Sequence, residues 1–224
     1  MSRPKLLDLF CGQGGASAGY SRAGFDVTGV DSEPQPRYPF RVIRADALEY
    51  LAAFGSLFDV IAASPPCQHY SQSTSMNKRL HGKTYPDLLP ATRQALIDAG
   101  VPYVIENVMG APMRNCLMLC GSMFFLQVQR HRLFESSHLL FAPGPCRHST
   151  FRGGYPNCFQ PRGGQRNSSS CVQVYGNTPG KALWPEAMGI DWMTSKGITQ
   201  AIPPAYTFHI GKQLMRMLFS EDEE

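Results

Sequence analysis

Apolar positions along the chain gather in short runs of strand length, at residues 5–9, 25–30, 41–44, 58–63 and 101–105. Between them lie stretches with helical spacing, at 16–23 closed by Gly24, at 47–54, and at 87–99 closed by Gly100, where Leu88, Leu89, Leu96 and Ile97 share a face. Strand and helix in alternation predict an α/β fold with a parallel sheet. Such sheets collect their chemistry at the C-terminal ends of the strands. Beyond the fifth run, 117–119, 123–126 and 133–134 predict further sheet elements. Residues 142–181 then dissolve into Gly, Pro, Ser, Asn and Arg, with 171–175 the one strand-like run. The pattern returns at 184–192 and ends in a helix through Phe219 that carries Ile210, Leu214, Met217 and Leu218. The pattern therefore divides into a core at 1–141, a small loop-rich lobe at 142–183 and a returning segment at 184–224.

Several strand ends carry residues with chemistry. Ser64-Pro65-Pro66-Cys67-Gln68 follows the fourth run directly. Each proline fixes its own φ and extends its predecessor, so Cys67 rides on a stiff loop, either as a nucleophile or as an ordinary buried thiol. The fifth run delivers Glu106-Asn107-Val108 to the same sheet edge, and a carboxyl beside a thiol is a natural acid–base partner. Phe10-Cys11-Gly12-Gln13-Gly14-Gly15 makes a glycine turn between the first strand and its helix, a place where backbone can approach a ligand. Asp31, about 20 residues later at the end of the second strand, holds the position that binds ribose hydroxyls in nucleotide-binding α/β folds. Asp46 ends the third strand and either caps the next helix or bonds an adenine amino group. Residues 71–86 are polar, basic and aperiodic, the signature of a loop that closes over a substrate.

Charge changes the picture more than composition does. The net charge is +4, but four of the 17 acids form the C-terminal tail, which leaves +8 elsewhere. Residues 60–86 hold no acid and include Lys78, Arg79 and Lys83. Residues 136–185 also hold none, while Arg147, Arg152, Arg162, Arg166 and Lys181 lie there. Acid-free basic stretches of this length point to a polyanion, nucleic acid before any other. Seven cysteines, no leader pattern and no apolar stretch near the roughly 18 residues that span a bilayer predict a soluble cytoplasmic chain with free thiols and no membrane partner. Cys146, His148, Cys158 and Cys171 match no common zinc spacing, so no metal is expected.

Taken in order, these motifs resemble those of the DNA cytosine-5 methyltransferases, from the first strand to the last helix. The resemblance implies a Rossmann-like S-adenosylmethionine-dependent methyltransferase sheet with a small recognition lobe. It is similar to compact phage-encoded or restriction-modification members, and double-stranded DNA is the implied partner of a monomer. It implies S-adenosyl-L-methionine at Phe10, Cys11, Gly12, Gln13, Gly14, Gly15, Asp31, Ser32, Asp46, Ala47 and Pro66. Cys67 is the implied nucleophile and Glu106 the implied acid, while Arg130-His131-Arg132 is similar to the basic substrate motif. DNA contacts are implied at Gln68, Ser71, Lys78, Arg79, Lys83, Arg147, Arg152, Arg162 and Arg166. Two positions depart from the family pattern, because Val128 stands where a glutamine is usual and Thr199-Gln200 where Gly-Asn is usual.

The chemistry this implies is addition of the Cys67 thiolate to carbon 6 of a flipped cytosine, with a proton from Glu106 at N3 and Arg132 at O2. Two or three base-reading contacts from the lobe predict a site of roughly two to four base pairs. A transfer RNA cytosine-5 methyltransferase and an inactive cofactor- or DNA-binding module are the competing readings.

Overall fold

The computed structural model describes residues 2–71, 84–146, 172–176 and 180–220. Seven strands form one sheet in the order β3-β2-β1-β4-β5-β7-β6. They are β1 (Lys5–Leu9), β2 (Asp26–Asp31), β3 (Arg41–Arg44), β4 (Val60–Ala63), β5 (Tyr103–Asn107), β6 (Leu117–Leu119) and β7 (Arg132–Ser136). The first five pair in parallel, whereas β7 runs antiparallel to both β5 and β6. Chain order reverses between β1 and β4, so the crevice of this doubly wound sheet opens where those strands end.

Period-two alternation sends each strand's side chains to two cores. Leu6, Val60, Ala62, Val104 and Phe134 face α1 (Gly15–Ala23) and the last helix, Pro204–Ser220. Leu7, Leu9, Ile61, Ala63 and Ile105 face α2 (Ala47–Phe54) and α3 (Leu89–Ala99). Two short helices, α4 (Trp184–Met188) and α5 (Ser195–Gln200), pack with Val128 and Val174 around fully buried Trp184, and the last helix is α6. Local signals set the helix ends, Gly100 among them as the sequence predicts. Asp46 caps α2 by accepting from the Leu48 and Glu49 amides, Pro90 opens α3, and Gly100 ends it in the left-handed region. A buried ion pair, Arg93 Nε to Glu135 Oε1 at 2.7 Å, ties α3 to β7.

Three elements differ from expectation. The fifth strand starts later, at Tyr103, because its ladder with β7 continues through Glu106↔Phe134 and Asn107↔Leu133, so both polar residues belong to the strand. Residues 123–126 are not sheet. They belong to a 3-10 turn, Gly121–Phe124, closed by a Leu126 N–H bond to Gly121 O and by Phe125 at φ 58°. The run 172–175 forms no strand. The Val172 N–H donates to Gln127 O, and Val174 is buried by the Trp184 cluster. No helix among the described residues is long and apolar enough to cross a membrane.

Candidate active site

Cys67 lies four residues beyond β4, on a loop held from two sides. The Asn107 Nδ2 donates to Pro65 O at 3.1 Å, and the Tyr70 and Ser71 amides both return to Cys67 O. Asn107 is 1% exposed, so this amide is committed to fixing the thiol's loop on the end of β5. Glu106 precedes it on the opposite face. Its carboxyl is buried, with Arg132 Nε 2.9 Å from Oε1. That N–H is not aimed at the oxygen, and Oε1 accepts no hydrogen bond among the described residues. Burial pushes the Glu106 carboxyl up, while Arg132 and Arg130 pull it down less strongly. Burial likewise pushes the Cys67 thiol up, against Arg132, with Glu106 adding to the rise. The thiol, carboxyl and guanidinium thus act on one another at a single sheet edge, and the carboxyl is biased toward carrying a proton.

The two arginines of 130–132 differ in use. Arg132 donates Nη1 to His131 O at 2.8 Å and keeps Nε 2.9 Å from Glu106 Oε1. Arg130 is buried and spends its guanidinium on backbone carbonyls, Val174 O at 3.0 Å and Thr199 O at 2.6 Å. These bonds tie the stretch before β7 to the backbone at residues 174 and 199. Tyr206 holds the stretch just before β7 through its hydroxyl, 2.6 Å from Arg130 O. No sequence signal distinguished Tyr206 from other core aromatics.

The glycine turn is pinned from below. Phe10, Gly12 and Gly14 all have positive φ, and the Gly12 N–H donates to Asp31 Oδ2 at 2.9 Å. A side chain added at Gly12 would meet open space, whereas one at Gly14 would strike Tyr38 and Pro39. The turn therefore presents bare backbone outward. Asp31 Oδ1 accepts from Glu33 N, while Asp46 uses one carboxylate oxygen as a cap. The alternatives at Asp46 are not exclusive, because both cap bonds use Oδ1 and none among the described residues uses Oδ2. Ser32 and Ala47 flank these acids, and Pro66 precedes the thiol. These donors and acceptors, with an uncovered Gly12, fit an adenosyl group along the ends of β1, β2 and β3.

Two predicted contacts have other partners. The Gln13 side chain bonds Thr194, accepting from its N–H at 2.9 Å, and the Gln13 carbonyl accepts from Trp192 Nε1 at 2.8 Å. The residue joins the turn to the C-terminal segment, which leaves its own backbone N–H as its means of touching a ligand. The Cys11 side chain is buried against Gly29 and Tyr38, so backbone is again what it offers. Beneath the turn, Asp8 is buried and bonded to the Ser17 hydroxyl, which is 2.7 Å from Tyr38 OH. Gln68 and Ser71 are half-buried on the turn after Cys67. Lys78, Arg79, Lys83, Arg147, Arg152, Arg162 and Arg166 lie outside the described residues, as do His148, Cys158 and Cys171.

Known proteins resemble parts of this chain in sequence and its whole length in fold. A Type II methyltransferase, M.FnuDI of Fusobacterium nucleatum, is 32% identical over 79 residues, which is 32% of this chain and 23% of that protein. The chain thus spans less than a quarter of the curated relative it matches. Among solved structures, the S. pombe Dnmt2 methyltransferase aligns over 97% of this chain and 100% of its own, with 13% identity and a TM-score of 0.57. Entamoeba histolytica methyltransferase EhMeth aligns over the whole of both chains, with 13% identity and a TM-score of 0.50. Both likenesses concern the fold. Residues 4–111, which hold the glycine turn, Asp31, Asp46, Cys67 and Glu106, match the family model of the C-5 cytosine-specific DNA methylases.

Proposed function

We propose that the chain is a DNA cytosine-5 methyltransferase acting on a cytosine turned out of double-stranded DNA. The observation that carries this reading is the convergence of a proline-stiffened thiol, a buried carboxyl and a guanidinium at one sheet edge beside the glycine turn. S-adenosyl-L-methionine is the methyl donor the family implies, and when bound it supplies an electrophilic methyl group to carbon 5. The amides of residues 10–15, with Asp31, Ser32, Asp46, Ala47 and Pro66 around them, would hold it.

The Cys67 thiolate forms a bond to carbon 6, and the ring π pair moves to carbon 5, which is otherwise a poor nucleophile. Addition builds charge on the ring, so Glu106 gives a proton to N3 while Arg132 holds O2. Once carbon 5 carries the methyl group, its proton passes to solvent water, the ring double bond re-forms as the Cys67 thiolate leaves, and N3 returns its proton to Glu106. Turning the base out costs a few kcal/mol. Lys78, Arg79 and Lys83 in the loop, and Arg147, Arg152, Arg162 and Arg166 in the lobe, would offset that cost through phosphate and base contacts.

DNA containing 5-fluorocytosine tests the covalent step, because fluorine cannot leave as a proton does. Wild type should form a gel-stable adduct in the presence of S-adenosylmethionine, and Cys67→Ser should not. An equal adduct with Cys67→Ser would remove the nucleophile assignment. An adduct with fluorinated transfer RNA and none with DNA would move the reading to RNA.

A further inference from the structure

Outside the crevice, the β6–β7 hairpin builds a second cluster. Its register pairs Leu117↔Phe134, Met118↔Leu133 and Leu119↔Arg132, so the next residues outward, Cys120 and His131, face each other across the mouth of the connecting turn. After β7 the chain passes α6, where Phe141 O accepts from His209 Nε2 and Gln213 Nε2, and returns to bring Cys146 to the same place. Cys146 Sγ lies 3.5 Å from His131 Nε2. The ligand atoms of Cys120, His131 and Cys146 are all within 4.8 Å of one another. Three soft or borderline donors from three separate segments converge here without any part in the proposed methyl transfer.

We propose that Cys120, His131 and Cys146 bind a zinc-class divalent cation, with one coordination position left for an exchangeable ligand. Two sulfurs and an imidazole nitrogen suit zinc better than magnesium or calcium, which take oxygen. Tetrahedral zinc spaces such donors about 3.5–3.8 Å apart, so small side-chain rotations close the present cluster onto an ion. One neighbour supports the thiolates that binding requires, against the burial that pushes the Cys120 thiol up. The Ser122 hydroxyl is 3.4 Å from Cys120 Sγ and 3.5 Å from Cys146 Sγ, within reach to donate to either sulfur. Cys120 is fully buried, whereas His131 and Cys146 are half-buried, which leaves the open position toward solvent.

The ion has a mechanical consequence. His131 O accepts from Arg132, the residue that faces Glu106, and Cys146 directly precedes the basic stretch 147–171. Binding would fix the start of β7 and the entry to that stretch together. The site is independent of the methyl-transfer reading, since its evidence lies in the hairpin register and the donor set.

The test uses the full chain, reduced and stripped of metal, titrated with zinc chloride or cobalt chloride alone. About one equivalent should bind, with release of about two thiol protons. Cobalt should give a near-ultraviolet sulfur-to-metal charge-transfer band and the visible bands of a tetrahedral ion. Cys120→Ser, His131→Asn and Cys146→Ser should each reduce bound zinc from about one equivalent to below about 0.1. Cys116→Ser and the Cys158→Ser/Cys171→Ser pair should retain it. Cys146→Ser alters a half-buried loop residue, and the cobalt spectrum of wild type needs no variant, so misfolding of Cys120→Ser leaves the test intact. Absence of the charge-transfer band in reduced wild type, undiminished zinc in Cys146→Ser, or loss of zinc in the Cys158/Cys171 variant would each overturn the site. So would a Cys120–Cys146 disulfide that forms whether or not zinc is present.

Discussion

At the scale of single residues, the thiol and the carboxyl make opposite demands on one pocket. Burial pushes the Cys67 thiol and the Glu106 carboxyl up together, so the free protein favours the proton that N3 needs and disfavours the thiolate that carbon 6 needs. Alkylation of Cys67 by iodoacetamide, followed by mass spectrometry across pH, should have a midpoint above that of an ordinary thiol. Arg132→Ala removes the largest opposing cause and should raise the midpoint further, while Glu106→Gln removes a negative neighbour and should lower it. Equal midpoints in all three proteins would show that the pocket charges do not reach the sulfur. Glu106→Gln also bears on catalysis, because an amide cannot supply the proton. Single-turnover methyl transfer should fall by about 100-fold or more, with DNA affinity changed only a few-fold, since the proton matters chiefly as addition proceeds. A near-normal rate would remove Glu106 from the acid role.

At the scale of elements, the cofactor turn is held from behind by the contact between α1 and α6. Gly19 makes that contact possible, since an added Cβ would lie 2.0 Å from Thr207 Oγ1, 2.2 Å from Pro204 O and 2.6 Å from the Phe208 amide. Gly19→Ala gains about 1 kcal/mol of helix propensity, but two of its three clashes are with backbone that cannot rotate away. We expect overpacking costs of about 1–3 kcal/mol to win, read as a lower urea midpoint. An unchanged or higher midpoint would mean that α6 shifts freely. The same helices show what the sequence made legible. Strands β1 to β4 and helices α1 to α3 were readable because their apolar runs end in strong local signals, such as Asp46 and Gly100. Cys67, Glu106 and Arg132 were readable as motif positions at strand ends. The 3-10 turn at Gly121–Phe124 and the loose run at 172–175 were not, because Leu126 and Val174 owe their burial to distant partners and not to a ladder. The hold of Asn107 on the Cys67 loop, and Tyr206 altogether, escaped for a related reason, since their hydrogen bonds go to backbone atoms 42 and 76 residues away. Cys120 and His131 became a pair only once the register of β6 on β7 was known.

At the scale of the whole molecule, the sheet concentrates negative groups at its centre while the excess positive charge lies in residues 60–86 and 136–185. Asp8 in β1 is the deepest of these acids. Burial is the largest cause, with Asp31 and Glu106 adding repulsion against the Ser17 hydroxyl bond, and its carboxyl is pushed up to about 7. The folded state therefore holds this proton more tightly than the unfolded chain does, where an aspartate titrates near 3.9. By linkage, Asp8 imposes no penalty below about pH 4, and stability is lost as pH rises from there through about 7. This slope opposes the usual acid weakening of carboxylate-rich proteins. Glu106 is raised as well and contributes with the same sign. The effect is isolated by comparing wild type with Asp8→Asn, which keeps the side-chain shape and an oxygen to accept from Ser17 but cannot ionise. Urea unfolding of both proteins between pH 4 and pH 8 should show the stability difference moving toward the variant by a few kcal/mol, most steeply below about pH 7 and flat above it. A difference that stays constant across this range would mean that Asp8 ionises in the folded state as it does in the unfolded chain, and that water reaches the base of the crevice.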